Sequence, residues 1–268
     1  MTNTEWCEAM KRSEEAKLLE QIEQWNDADD DILGHVKKHI DQYFGTFTQI
    51  LSVDGNPDLP IQIVLIPPRL EHDYYTLVTL GLSRHRMKFP EERQDEKLER
   101  AELLINLPRY WKLTESGCKE DRWSWPIQMM LSIVRFALND PEVGLESRTT
   151  LMEGDDGIPF AENTELRGTI LLWPGPFGQD AFACRLPSGE EVNFYQVIPL
   201  YREEIQFKRE NGSDALLDLC QDESLEVINP KRLNVVNDRE KIGYDPAEMD
   251  NAKIQIEKIQ SLRLPVDE

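Results

Sequence analysis

Residues 182–220, FACRLPSGEEVNFYQVIPLYREEIQFKRENGSDALLDLC, constrain the fold more than any other part of the chain. Phe182, Cys184 and Leu186 alternate with Ala183 and Arg185, the period-two pattern of a half-buried strand. Pro187 fits the second position of a type I turn, with Gly189 at the fourth. The return strand sets Val192, Phe194 and Ile198 on one face and Glu191, Asn193 and Tyr195 on the other. Pro199 suits the first turn of a helix, where an absent N–H leaves no bond unmade. Phe194 is expected to be buried beneath that helix. Glu203 and Glu204 near its start and Lys208 and Arg209 near its end match the helix macrodipole. Asn211-Gly212 is a left-handed stop, and Ser213 can cap the next short helix. A hairpin followed by helices results, and none of these residues forms a catalytic constellation.

Upstream, residues 5–25 are helix-prone and heavily charged, which suits a peripheral helix or a partner-docking arm. NDADDD at 26–31 supplies caps for a second helix, in which Ile32, Leu33, Val36, Ile40, Tyr43 and Phe44 recur at helical spacing until Gly45. Strands are expected at 46–53, 61–66, 74–82 and 101–107. The nearly continuous apolar run 61–66 reads as a central strand covered on both faces. The mixed-charge stretch 84–100 reads as a solvated loop or short helix. Trp125-Pro126 opens a central helix whose stripe of Ile127, Met130, Leu131, Val134 and Leu138 is widened by Met129, Ile133 and Phe136. A helix apolar on most sides is buried, and its methionines read as core filler. Further strands are expected at 145–151 and 169–173, and a charged accessory helix at 247–261.

At 268 residues the chain supports a sizeable core, as one large domain or two lobes. Its 51 acids against 30 Lys plus Arg leave a formal net charge of −21. Such a field repels nucleic acid and anionic lipid and attracts basic partners; it also keeps a protein soluble. Cys7, Cys118, Cys184 and Cys220 lie far apart without a C-x-x-C pair, which argues against a zinc ribbon or a thioredoxin-like site. The N-terminal MTNTEWCEAMKRSEEAK lacks the apolar core of a signal peptide, and no run reaches the length of a membrane span. A reducing cytoplasm is the expected setting.

Sites for chemistry are sparse. His35 and His39 stand at i, i+4, but VKK between them lacks the glutamate of an H-E-x-x-H protease, and no third ligand is indicated; both read as surface histidines. His72 and His85 flank a strand without a nucleophile motif beside them. Glu153, Asp155 and Asp156 fall in a glycine-punctuated loop that does not fit the EF-hand spacing and reads as exposed acidic surface. Gly175 and Gly178 lack the Lys and Ser/Thr of a phosphate-binding loop. Trp173 and Phe177, bracketed by prolines, are either core or exposed aromatics of an interface. No metal or cofactor is implied.

The segment LPSGEEVNFYQVIPLYREEIQFKRENGSDALL resembles the suppressor of fused (SUFU) domain family, in its bacterial branch. IQIVLIPP, YYTLVTLGLS, AELLINLP, WSWPIQMMLSIVRF and PFAENTELRGTILLWP follow in the order of that family. The resemblance covers residues 28–236 and implies an α+β fold: a mixed, largely antiparallel sheet with packed helices, in two lobes at 28–140 and 145–236. Residues 1–27 and 237–268 then carry accessory helices. It also implies a non-enzymatic protein-binding role. Animal members clamp a peptide of a transcription factor between two lobes, and bacterial members are regarded as immunity or interaction modules of toxin systems. The acid excess suits occlusion of a basic partner such as a toxin domain, with Glu153, Asp155, Asp156, Trp173 and Phe177 as candidate contacts. An inter-lobe peptide clamp is one alternative, and an uncharacterised hydrolase is another of a different class.

Overall fold

The computed structural model describes residues 32–53, 61–89, 97–139, 144–152, 157–221 and 224–238. The expected helices at 5–25 and 247–261 lie outside these residues, as does Cys7. Eight strands form one sheet: β1 (Gln49–Val53), β2 (Ile61–Ile66), β3 (Tyr74–Leu80), β4 (Arg100–Pro108), β5 (Thr150–Met152), β6 (Gly168–Leu172), β7 (Ala183–Arg185) and β8 (Glu191–Leu200). Their order is β1-β2-β3-β4-β8-β6-β5, with β7 paired to the start of β8. Pairings are antiparallel except β4 with β8, which run parallel from Arg100↔Val192 to Leu104↔Gln196. That parallel ladder joins the strands of the first half of the described chain to those of the second.

Helices α1 (Ile32–His39), α2 (Asp121–Asn139), α3 (Arg202–Asn211) and α4 (Ser213–Leu219) cover both faces of the sheet. Alternate residues of single strands feed opposite layers. Ile63, Leu65, Leu103 and Ile105 pack with α2, whereas Val64, Ile66 and Leu104 pack with α1. Ile170, Ile198 and Leu200 meet α3 and α4. The nearly continuous apolar run of β2 is explained by this double cover. Burying a Val, Leu or Ile side chain contributes about 1.5–3 kcal/mol, so this alternation is a main source of stability.

The hairpin expectation holds in its turn: Gly189 N donates to Leu186 O at 3.0 Å, with Pro187 second and Gly189 fourth. It needs correction at four places. Pro199 lies within β8, not in the helix, which starts at Arg202. Its position in the ladder turns its absent N–H away from β6, and its carbonyl accepts Arg232 Nη2 at 3.0 Å, so no bond to β6 is lost. Phe194 is fully buried, but against His39 and Phe44 of the α1 layer rather than under α3. Tyr195, placed on the polar face by sequence, is also fully buried and belongs to the α2 layer. Finally, Gly212 rather than Ser213 occupies the N-cap of α4, at φ +90°.

Two further elements differ. α2 starts at Asp121, four residues before Trp125, with Pro126 inside it. The carbonyl that Pro126 leaves free, that of Arg122, accepts Asn163 Nδ2 at 3.3 Å instead. The strand expected at 145–151 is only Thr150–Met152, because Arg148 adopts φ +73° and turns the preceding residues out of the ladder.

Candidate protein-binding groove

Two places in the sheet offer a segment-sized opening. β4 and β8 diverge beyond Leu104 and Gln196 and leave a fork between them. The chain fills this fork itself. Asn106 Nδ2 and Gln196 Nε2 both donate to Glu226 O, at 3.0 and 2.6 Å, and Ile228 N donates to Asn106 O at 2.9 Å. Tyr74 Oη donates to Glu226 Oε1 at 2.6 Å, and Ile228 is buried in the α2 layer. Two residues past Pro230, Arg232 bonds to Pro199 O and forms a buried ion pair with Glu204. Burial opposes the Arg232 charge, and the Glu204 carboxylate more than offsets it and holds that pKa up.

The second opening is not filled by any described residue. A groove of about 960 Å³ lies between the C-terminal half of α2, the β5 end of the sheet and the turn at residues 157–160. Met129, Ile133, Phe136, Leu151, Ile158 and Phe160 supply its apolar surface. Phe136 is 41% exposed and Ile158 77%. Gly168 lets β5 approach, since a Cβ there would stand 2.8 Å from Leu151 O. Arg135 and Arg167 stand at the rim. Arg167 is held by Glu165 at 3.1 Å, whereas Arg135 has no hydrogen-bond or ion-pair partner among the described residues. This apolar, open and partly cationic groove suits a protein segment or another amphiphilic ligand.

Buried carboxylates elsewhere are occupied. Glu102, fully buried, accepts from Thr79 Oγ1, Gly81 N, Ser83 N and Ser83 Oγ at 2.6–3.0 Å. Burial pushes its pKa up, opposed by those bonds, and it fastens the turn that follows β3. Among the described residues no group of three or more His, Cys, Asp or Glu side chains is placed to hold a metal ion. No described helix is long and apolar enough to cross a membrane. Of the i, i+4 histidines, His39 needs correction: it is 8% exposed, stacks on Phe194 with ring centroids 4.8 Å apart, and has Nε2 at 3.2 Å from Ala181 O. It belongs to the core.

Of the contacts expected from sequence, Glu153, Asp155 and Asp156 lie outside the described residues; Met152, which immediately precedes them, lines the groove. Trp173 is 36% exposed and stacks on Phe182 at 5.2 Å. Phe177 is half-buried against Phe44 and His72, at 4.9 and 4.6 Å. Both stand beyond the end of β6 opposite the groove. The sequence groups Phe136 with the core stripe of α2, whereas the fold leaves it 41% exposed. The available signal was its place at the edge of that stripe, beside Arg135 and ahead of the apolar Ile158-Pro159-Phe160.

The family model of Suppressor of fused protein (SUFU) matches residues 57–233. The chain belongs to the SUFU family. An uncharacterized protein of Ureaplasma parvum is 24% identical over 161 residues, covering 60% of this chain and 73% of that protein. Among solved structures, a SUFU homolog from Neisseria gonorrhoeae has a TM-score of 0.54 at 14% identity, covering 76% of this chain and 96% of that one. A chain of the Sufu–Fu complex has a TM-score of 0.53 at 17% identity, covering 78% and 94%. Drosophila Suppressor of Fused has a TM-score of 0.53 at 16% identity, where this chain's match spans 54% of that protein's length. These structures share the α+β SUFU fold, with its mixed sheet and packed helices.

Proposed function

We propose that this SUFU-family chain is a non-enzymatic protein-binding module whose partner docks in the groove between α2 and β5. The observation that carries the reading is the open apolar groove, with Phe136 and Ile158 exposed at its rim. The existence of a Sufu–Fu complex supports the class of function, since that relative is found with a protein partner. A clamp between the two halves of the sheet would first have to expel the buried Ile228 and the ion-paired Arg232 from the fork. The groove requires no such opening. The test is side-by-side affinity capture from the native cell extract with the wild-type chain and Phe136→Asp. A partner held by the wild type and lost by a folded variant is the expected result. A partner held equally by both places the docking surface elsewhere.

Net charge favours a second, compatible element. At −21 the chain draws a basic partner, such as a toxin domain neutralised in a bacterial cytoplasm, and speeds its encounter. Glu153, Asp155 and Asp156 are the proposed acidic contacts. Their combined replacement by amides should slow association while leaving dissociation little changed. An unchanged association rate removes that loop from the encounter.

A further inference from the structure

We propose that the outer edge of β5 takes an extended, carboxylate-bearing segment of the partner as an added strand. An aliphatic side chain would be set between Phe136 and Ile158, and a carboxylate would reach Arg135. This rests on the groove reading above and names the class of segment the groove takes. β5 is the last strand of the sheet. Leu171 N donates to Thr149 O at 2.9 Å, and Leu151 stands opposite Thr169. Alternation in an antiparallel ladder therefore turns the backbone groups of Thr150 and Met152 outward, where no further described strand pairs with them. An outer edge of this kind is a template for another strand unless it is guarded.

Among the described residues the guards are incomplete. Lys208 Nζ sits 2.5 Å from Arg148 O and 3.2 Å from Thr150 Oγ1, at one end of the strand. The other end runs beside the groove. There, in a chain with 51 acids for 30 Lys plus Arg, Arg135 has no anionic partner among the described residues. The nearby cations are engaged: Arg148 with Asp214 at 2.8 Å and Arg167 with Glu165. Thr169, which lines the groove and is 2% exposed, has a buried hydroxyl with no hydrogen-bond partner. An apolar surface, an unpaired backbone edge, one unmatched cation and one unmatched buried hydroxyl are thus brought together. A small apolar molecule would use only the first. The long-range field and the local contact differ in sign: the net charge sets the encounter with a basic partner, and Arg135 sets the register of one acidic segment within it.

The experiment is fluorescence anisotropy on the full chain with three labelled hexapeptides. In an added strand, residues two apart share a face, so one peptide is Thr-Val-Thr-Glu-Thr-Val; one has lysine in place of the glutamate; the third is the glutamate peptide N-methylated at alternate residues, which removes the donors a ladder needs. The glutamate peptide should bind saturably, the lysine peptide about tenfold more weakly, and the N-methylated peptide not measurably. Arg135→Gln, an exposed substitution, should weaken the glutamate peptide by about three- to fivefold at low salt, the scale of a solvent-exposed ion pair. No saturable binding of the glutamate peptide, or equal binding of either control, overturns the proposal. A dimer in sedimentation velocity that Phe136→Asp abolishes also overturns it, because a second copy then covers the groove. Failure of the peptides while Phe136→Asp still loses the captured partner would remove only the added strand. Retention of that partner by the variant removes the groove itself.

Discussion

Phe194 shows how much a single side chain of this sheet carries. It is fully buried and meets His39 and Phe44 at ring-centroid distances of 4.8 and 5.2 Å. Phe194→Ala should destabilise by about 3–5 kcal/mol, through lost transfer energy and the cavity left behind. Denaturant melts check this, and a loss below about 1 kcal/mol would mean the site collapses around the change. His39 adds a pH dependence. Burial lowers its pKa from the ordinary 6.5, against the opposing bond to Ala181 O. The unfolded chain therefore binds a proton before the native one does. The stabilisation is complete above pH 6.5 and is lost as pH falls from there towards the lowered native pKa. Glu102 acts with the opposite sign: its raised pKa makes the native state lose stability as pH rises from the ordinary 4.5 through the native value. Melts across pH 4–8 should lose the acid-side slope in His39→Gln and the opposing slope in Glu102→Gln.

Among elements, the strap at residues 224–238 is the one that the order of the chain does not explain. It returns from α4 to fill the fork between β4 and β8, and Glu204 and Arg232 lock it, with side chains 0% and 3% exposed. Glu204 also accepts from Tyr201 N at 2.9 Å and Val235 N at 3.1 Å, so one carboxylate joins the N-cap of α3 to the strap. Glu204→Gln leaves a buried guanidinium without its counter-charge and should cost about 3–5 kcal/mol. Replacing both partners, Glu204→Met with Arg232→Leu, should cost less than either single change, since no charge is stranded. Chemical denaturation of Glu204→Met, Arg232→Leu and the double variant as a cycle measures the coupling. A coupling near zero would mean that the pair fastens nothing. α2 is readable to a similar depth. Its apolar stripe is evident in the sequence, but the donor to the carbonyl freed by Pro126, Asn163 Nδ2, lies 41 residues from Arg122.

At the scale of the molecule, one sheet covered on both faces leaves a wide groove at its β5 end and a filled fork near its middle. Association with a basic partner should slow steeply with salt, because screening shortens the Debye length from about 10 Å at 0.1 M to about 3 Å at 1 M. Dissociation should respond less, since apolar contacts set the lifetime. Stopped-flow association across that range is the measurement, and a salt-independent rate would leave the groove without electrostatic assistance.

Turn chemistry, helix polarity and strand runs act over a few residues, and these the sequence by itself determined. The Pro187–Gly189 turn, the acidic start and basic end of α3 and the doubly covered β2 follow from neighbours along the chain, and the α+β class from the order of the family-like motifs. Tertiary structure alone decided which layer Phe194 and Tyr195 entered, why Pro199 is tolerated in a strand, and what answers Glu204 and Asn106. Their partners lie far along the chain: Asn106 meets Glu226 at a separation of 120 residues and Glu204 meets Arg232 at 28. No local periodicity encodes such a pairing. The groove was hidden for the same reason: Phe136 reads as core on its own helix, and only the placement of β5 and Ile158 opposite it leaves that ring exposed.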